Sequence, residues 1–272
     1  MTKNQTDMRA KDRSQQIIVT ASFLVCLVGS MIGVGVLGGT PIASAADGAL
    51  AADATLLAPA SGAFSVWTVV YLGLAGYTAL QWFPTAASAA RQRLLRLPVA
   101  GTMLLNATWI LAVQAGWIWV SVAVIAALLA LLCRVLVILM RSRASGALER
   151  LLVDGTLGIY LGWVCVATAA NVAAALTSSG FDGGGLDPEW WAVSTLVVVG
   201  GIGIALAARS RGRIAVAAAI AWGLAWIAVA RWATTPNSEP TATAAGAAAV
   251  AVLGVTLVLR VRAARQTGAV RA

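Results

Sequence analysis

The chain has 272 residues, of which 60% are hydrophobic and 11% charged; since a soluble domain carries about 25% charged residues, the composition excludes an ordinary soluble fold. The net charge of +9 would suggest nucleic acid in a soluble protein, but the basic residues stand in short clusters between apolar runs, and we expect no nucleic-acid partner. Histidine is absent, which excludes His-ligated metal or haem and His-based acid–base catalysis, so we expect no metal site, no catalytic residue and no cofactor.

Eight apolar runs follow one another along the chain. A run of about 20 apolar residues crosses roughly 30 Å of hydrocarbon as a helix, whereas barrel strands alternate over about 10 residues. The predicted spans cover residues 17–39, 62–83, 98–118, 120–140, 155–177, 191–208, 214–232 and 245–260. The sequence therefore predicts an all-α, polytopic transmembrane helix bundle in the lipid bilayer.

The charges outside the spans alternate in sign from one connection to the next. Of the 19 basic residues, 18 fall in or beside the tail at 1–16, every second connection and the tail at 261–272, and Arg231 is the exception. The opposite side carries the acidic residues Asp47, Asp53, Asp182, Asp187, Glu189 and Glu239. Basic loops are retained in the cytoplasm, so we predict a multi-pass protein of the cell (plasma or inner) membrane with both termini cytoplasmic.

The N-terminal run has a second interpretation. Its basic start and apolar stretch, followed by Ala43-Ser44-Ala45, are typical of a signal peptide with its cleavage site, and cleavage would leave seven spans. The run is longer than usual for a signal peptide, and Gly29 and Gly33 have the spacing that lets helices approach closely. These two features favour retention as the first span.

Few ionisable residues fall within the predicted spans. Arg134 lies near the inner boundary of the fourth span, and Asp154 stands at the start of the fifth, where a carboxylate suits a helix N-terminus. Because intramembrane charges mark ion and proton pathways, we expect neither a proton-coupled pump nor a channel built on charged rings.

Aromatic and amide side chains form stripes on the second and third spans. In the second span, Phe64, Trp67 and Tyr71 are spaced i, i+3, i+7, which places them on one helix face. In the third, Asn106 and Trp109 share a face. Each pattern has the period of a helix rather than of a strand.

The fifth span carries the longest stripe, with Tyr160, Trp163, Ala167 and Asn171 at i, i+3, i+7, i+11. Such stripes can join helices by hydrogen bonds within lipid. Alternatively, they line an apolar pocket in which tryptophan faces stack on a flat aromatic ligand and Asn106 or Asn171 fixes its orientation. Periodicity leaves both interpretations open.

Together the three stripes resemble the TspO/MBR family, the tryptophan-rich sensory or translocator proteins. Residues 59–71, PASGAFSVWTVVY, are similar to P-P-x-x-x-F-x-x-x-W-T-x-x-Y of the family's second span, with the Phe-to-Trp gap one residue shorter. Residues 105–109, LNATW, are similar to L-N-x-x-W, and residues 160–171 to P-Y-x-x-W-x-x-x-A-x-x-x-N, with Gly158-Ile159 where the proline would precede Tyr160. The family's W-Y-x-x-L-x-K-P loop is replaced by an Ala-rich, acidic stretch at 43–58.

The resemblance implies a divergent member with extra C-terminal spans. Residues 17–177 would form the family's five-helix unit and residues 191–260 three additional helices. It implies a receptor or sensor for a hydrophobic, planar aromatic, tetrapyrrole-like ligand such as a porphyrin. The candidate ligand-binding residues are Phe64, Trp67, Tyr71, Asn106, Trp109, Tyr160, Trp163, Ala167 and Asn171.

Other functions stay open beside this one. A transporter or permease for an uncharged or hydrophobic solute would use the three additional helices as a moving partner, although no internal repeat supports it. An enzyme is not expected, since only redox-active tryptophan would remain for catalysis. A homodimer through the small-residue spacing of Gly158 and Gly162 is left open, because that spacing serves packing within one chain equally well.

Overall fold

The computed structural model describes residues 3–269. Arg271 and the side chain of Lys3, both counted among the predicted inner charges, lie outside the described residues. Within the described range 80% of residues are helical and none lies in a strand, which confirms the all-α prediction.

Among the described residues, eight helices are long and apolar enough to cross a membrane, as predicted. Their α-helical segments are α1 (Lys3–Gly33), α2 (Val66–Leu80), α3 (Ala90–Gln114), α4 (Ile118–Arg141), α5 (Thr156–Ser178), α6 (Pro188–Arg209), α7 (Ile214–Ala233) and α8 (Glu239–Ala269), and the second span as a whole covers Ser61–Leu80. A 3-10 turn at Ser61–Ser65 leads directly into α2, and a π-helical turn at Arg150–Gly155 leads into α5.

Local chemistry accounts for several helix ends. Gly116 has φ +73°, a conformation that favours glycine, and it ends α3 just before the predicted boundary. Pro188 stands in the first turn of α6, where its missing N–H costs nothing. The Asp187 carboxylate caps the same turn by accepting a hydrogen bond from the Glu189 amide at 2.8 Å.

The first of two compact units contains the described residues up to Pro41 together with Trp67–Leu157. In it, α3 packs against both α1 and α4. A Cβ atom on Gly29 would lie 3.1 Å from the Ala107 side chain, so α1 and α3 approach closely at this glycine. This contact gives the predicted small-residue spacing of the first span a packing role.

The second unit contains Ile42–Val66 and the described residues from Gly158 onward. Here α8 packs against α6 and α7, and α7 also contacts the Ser61–Ser65 turn. Gly158 and Gly162 lie against Ala215 and Val216 of α7. Their spacing is thus used within the chain, and the homodimer, which the sequence left open, gains no support from it.

These two units are defined by packing, not by likeness to a family. The predicted organisation into a tail at 1–16, a five-helix unit at 17–177, three helices at 191–260 and a tail at 261–272 therefore stays a prediction.

Candidate functional site

An amide side chain organises four residues of the first unit, which we name the Asn106 cluster: Cys26, Trp67, Tyr71 and Asn106. The Trp67 and Tyr71 rings stack with centroids 5.3 Å apart and planes 20° from parallel. Asn106 Nδ2 donates to the Tyr71 hydroxyl at 3.1 Å and contacts Cys26 Sγ at 3.5 Å. The cluster thereby ties together α1, α2 and α3.

The other end of the Asn106 amide is the carbonyl oxygen Oδ1. Asn106 is 1% exposed, and its Oδ1 has no hydrogen-bond partner within the described part of the chain. A buried acceptor left without a donor costs about 1–3 kcal/mol. An N–H or O–H group of a bound molecule would remove that cost. Trp109, one turn later on α3, is also buried.

The remaining five predicted site residues belong to the second unit. The Phe64 ring meets the Trp163 indole edge-to-face, with centroids 5.7 Å apart, an arrangement that stabilises aromatic pairs by about 0.5–1.5 kcal/mol. Tyr160, Trp163 and Asn171 are buried, and Ala167 is half-buried. The nine predicted residues thus form two groups, one in each unit, and their membership in one ligand site stays a prediction.

Two tryptophans of α7 that the stripes did not include support the segment carrying Phe64. Trp222 Nε1 donates to the Ala63 carbonyl at 3.0 Å, and the Ala60 amide donates to the Trp226 carbonyl at 3.1 Å. The Trp226 indole lies against Gly62, so closely that a Cβ there would collide with it. The i, i+4 spacing of the two tryptophans was the available sequence signal.

A buried polar network in the first unit lies at the start of the third span, which begins earlier than predicted. Arg91, Arg93 and Arg96 precede the predicted span at 98–118, but α3 begins at Ala90 and includes them. Arg91 binds Glu149 at 2.6 Å and Asp154 at 2.7 Å. The helix extends because these distant carboxylates neutralise its first turns, and Asp154 is thus an ion-pair partner as well as a helix-start residue.

The same network continues towards α1. Asp12 accepts from Arg93 at 2.6 Å and from Arg96 at 2.9 Å. Arg96, which is 0% exposed, also donates to Gln81 Oε1 at 2.9 Å, and Gln81 donates to Gln92 at 2.9 Å. Three arginines face three carboxylates across the network, so its formal charges balance.

The second unit contains a cleft of about 900 Å³. Its walls come from the connections before α2, before α6 and before α8, from the end of α5 and from the start of α6, and none of the nine predicted site residues lines it. Sequence periodicity could not find this cleft, because three of its five wall segments are connections.

Comparison with known proteins confirms the family resemblance. A family model described as TSPO-like protein matches residues 16–258. No curated protein and no solved structure matches the chain. The matched range includes α6, α7 and most of α8 as well as the first five spans. Since it covers most of the 272 residues, the chain belongs to the TSPO-like protein family.

Proposed function

We propose that this membrane protein is a receptor or sensor that binds a hydrophobic, planar aromatic ligand of the tetrapyrrole class. The observation that carries the proposal is the Asn106 cluster, in which a buried carbonyl oxygen that has no donor among the described residues lies beside a stacked tryptophan–tyrosine pair. Membership in the TSPO-like family supports the same conclusion. By the charge rule, we place the protein in the cell membrane with both termini cytoplasmic.

The chemistry of the cluster fits such a ligand. An aromatic macrocycle offers a flat face to the Trp67 and Tyr71 rings, and a free-base tetrapyrrole carries pyrrole N–H donors for Asn106 Oδ1. Small-molecule sites are mostly apolar and use a few polar groups to fix orientation. Trp109, which follows Asn106 on α3, remains a candidate lining residue on the same proposal.

Titration with protoporphyrin IX tests the proposal. The protein is placed in lipid nanodiscs, and tryptophan quenching together with porphyrin absorbance gives the dissociation constant. Asn106→Leu keeps the branched shape of the side chain but removes the acceptor, together with the donor to the Tyr71 hydroxyl. The loss of one hydrogen bond, about 0.5–1.5 kcal/mol, should weaken binding about two- to twelvefold.

Thr108→Val is the matched control, because Thr108 lies on the same helix but is exposed and bonds only within α3, to the Leu104 carbonyl. It should leave the dissociation constant unchanged. Equal affinity of wild type and Asn106→Leu, or equal quenching of a free tryptophan analogue in empty nanodiscs, would refute the proposal. Porphyrin flux across proteoliposomes then distinguishes transport from sensing.

A further inference from the structure

The cleft of the second unit has the size of a small-molecule site. Its volume of about 900 Å³ lies at the upper end of the range of roughly 300–1,000 Å³ that such sites occupy. Leu57, Val172 and Leu176 are among the apolar residues that line it. The cleft therefore offers an apolar molecule a concave surface.

An aromatic wall stands on one side of this cleft. The rings of Phe181 and Trp191, both lining residues, meet edge-to-face with centroids 5.9 Å apart. Trp191 Nε1 donates to the Gly183 carbonyl at 2.9 Å, which fixes the indole. Both side chains are nevertheless 47% exposed. Held in place and accessible, the indole face suits a cation, which the ring quadrupole attracts.

The charges that line the cleft are all negative. Asp182, Asp187 and Glu189 line it and no lysine or arginine does, and within the described residues none of the three forms an ion pair. Asp182 accepts from the Gly184 amide at 2.9 Å and Asp187 from the Glu189 amide at 2.8 Å, so the backbone orients both carboxylates. Such a cleft attracts cations and repels anions.

Two further residues indicate that the cleft is a preformed binding site. Thr55 lines it and is only 9% exposed, yet its hydroxyl has no hydrogen-bond partner in the described structure. Arg231, 0% exposed, donates to the Ala52 carbonyl at 2.6 Å and to the Pro236 carbonyl at 2.8 Å. It thereby holds the connections before α2 and before α8, which supply two of the walls. This role accounts for the one basic residue on the acidic side.

From these features we propose that the cleft binds a lipophilic cation, whose apolar body packs against Leu57, Leu176 and Trp191 and whose charge faces Asp182, Asp187 and Glu189. This site is independent of the Asn106 cluster. A porphyrin that carries carboxylates has the wrong charge for it.

Tetraphenylphosphonium is the probe. The control is tetraphenylborate, an anion of the same shape. Each is measured by equilibrium dialysis against the protein in phosphatidylcholine nanodiscs, with empty nanodiscs subtracted. We expect saturable binding of the phosphonium only, weakened by added salt because the carboxylates are exposed. The Asn106→Leu variant should bind the phosphonium as wild type does.

The charge variant is Asp182→Asn with Asp187→Asn. Asparagine retains the oxygen that caps each turn, so the fold is preserved while two charges are lost. The loss of the two charges should weaken binding about three- to tenfold, which is at the upper end of what exposed charge pairs contribute. Its matched control, Asp47→Asn with Glu239→Gln, removes the same charge from residues that do not line the cleft and should change affinity less than about twofold.

A third variant, Ala173→Phe, fills the cleft at a lining position and should abolish saturable binding. Thermal unfolding of each variant checks that it is folded. Absence of saturable phosphonium binding to the folded wild type would overturn the proposal. So would equal binding of the borate, or equal weakening in the charge variant and its matched control.

Discussion

Replacing Asp12 by asparagine removes the carboxylate shared by two arginines of α3. Arg96 is 0% exposed, so its charge would remain buried without its ion-pair partner, which costs about 3–5 kcal/mol. Arg96 keeps the Gln81 side chain and the Ala86 and Ala87 carbonyls as acceptors, and Arg93 is 38% exposed and regains water. We therefore expect a cost at the lower end of this range, which is a loss of about 3 kcal/mol in the free energy of unfolding.

Unfolding by SDS titration in detergent micelles measures this loss. The double variant Asp12→Leu with Arg96→Met leaves no unpaired charge at the buried position and should fall within about 1 kcal/mol of wild type, since apolar replacement of a buried pair is often neutral. Asp47→Asn, at a residue that forms no ion pair in the described structure, should change stability by less than about 0.5 kcal/mol. A double variant as unstable as Asp12→Asn would refute the reasoning.

Two further predictions concern the second unit. Gly62→Ala places a Cβ against the Trp226 indole and should destabilise by about 1–3 kcal/mol in the same titration, whereas Gly254→Ala, in open space within α8, should stabilise by about 0.5–1 kcal/mol; a loss in both would contradict the collision. Arg231→Met removes the donor to the Ala52 carbonyl, so hydrogen exchange in the Ile42–Val66 segment should accelerate about tenfold. Unchanged exchange there would show that the arginine does not hold this connection.

Hydropathy and charge were sufficient for the spans because lipid imposes length and composition on every helix. The fourth span, predicted at 120–140, is Ile118–Arg141, and the seventh, predicted at 214–232, is Ile214–Ala233. The third begins eight residues before the predicted 98. In its first turn, Arg91 pairs with the carboxylates of Glu149 and Asp154, which lie more than 50 residues away in sequence. A local sequence pattern does not indicate such distant partners.

The candidate sites, too, could be predicted from the sequence only in part. Helical periodicity placed Trp67 and Tyr71 on one face, and the two rings do stack, with the Tyr71 hydroxyl accepting from Asn106. The cleft was missed because its walls include connections such as Ala54–Leu57, where no periodicity operates. Trp191 stands at the first residue of the predicted sixth span, and its contact with Phe181 depends on the turn between α5 and α6.

The π-helical turn at Arg150–Gly155 changes which mutations the polar network tolerates. Glu149 and Asp154 are five residues apart, which in an α-helix would turn them about 140° away from each other, whereas the i→i+5 hydrogen bonds of a π-helix widen the turn and bring such residues nearer to one face. The wider turn lets both carboxylates reach the one Arg91 guanidinium. Deleting a single apolar residue here would therefore disrupt the ion pairs without altering any charged side chain, so this segment constrains chain length as well as residue type.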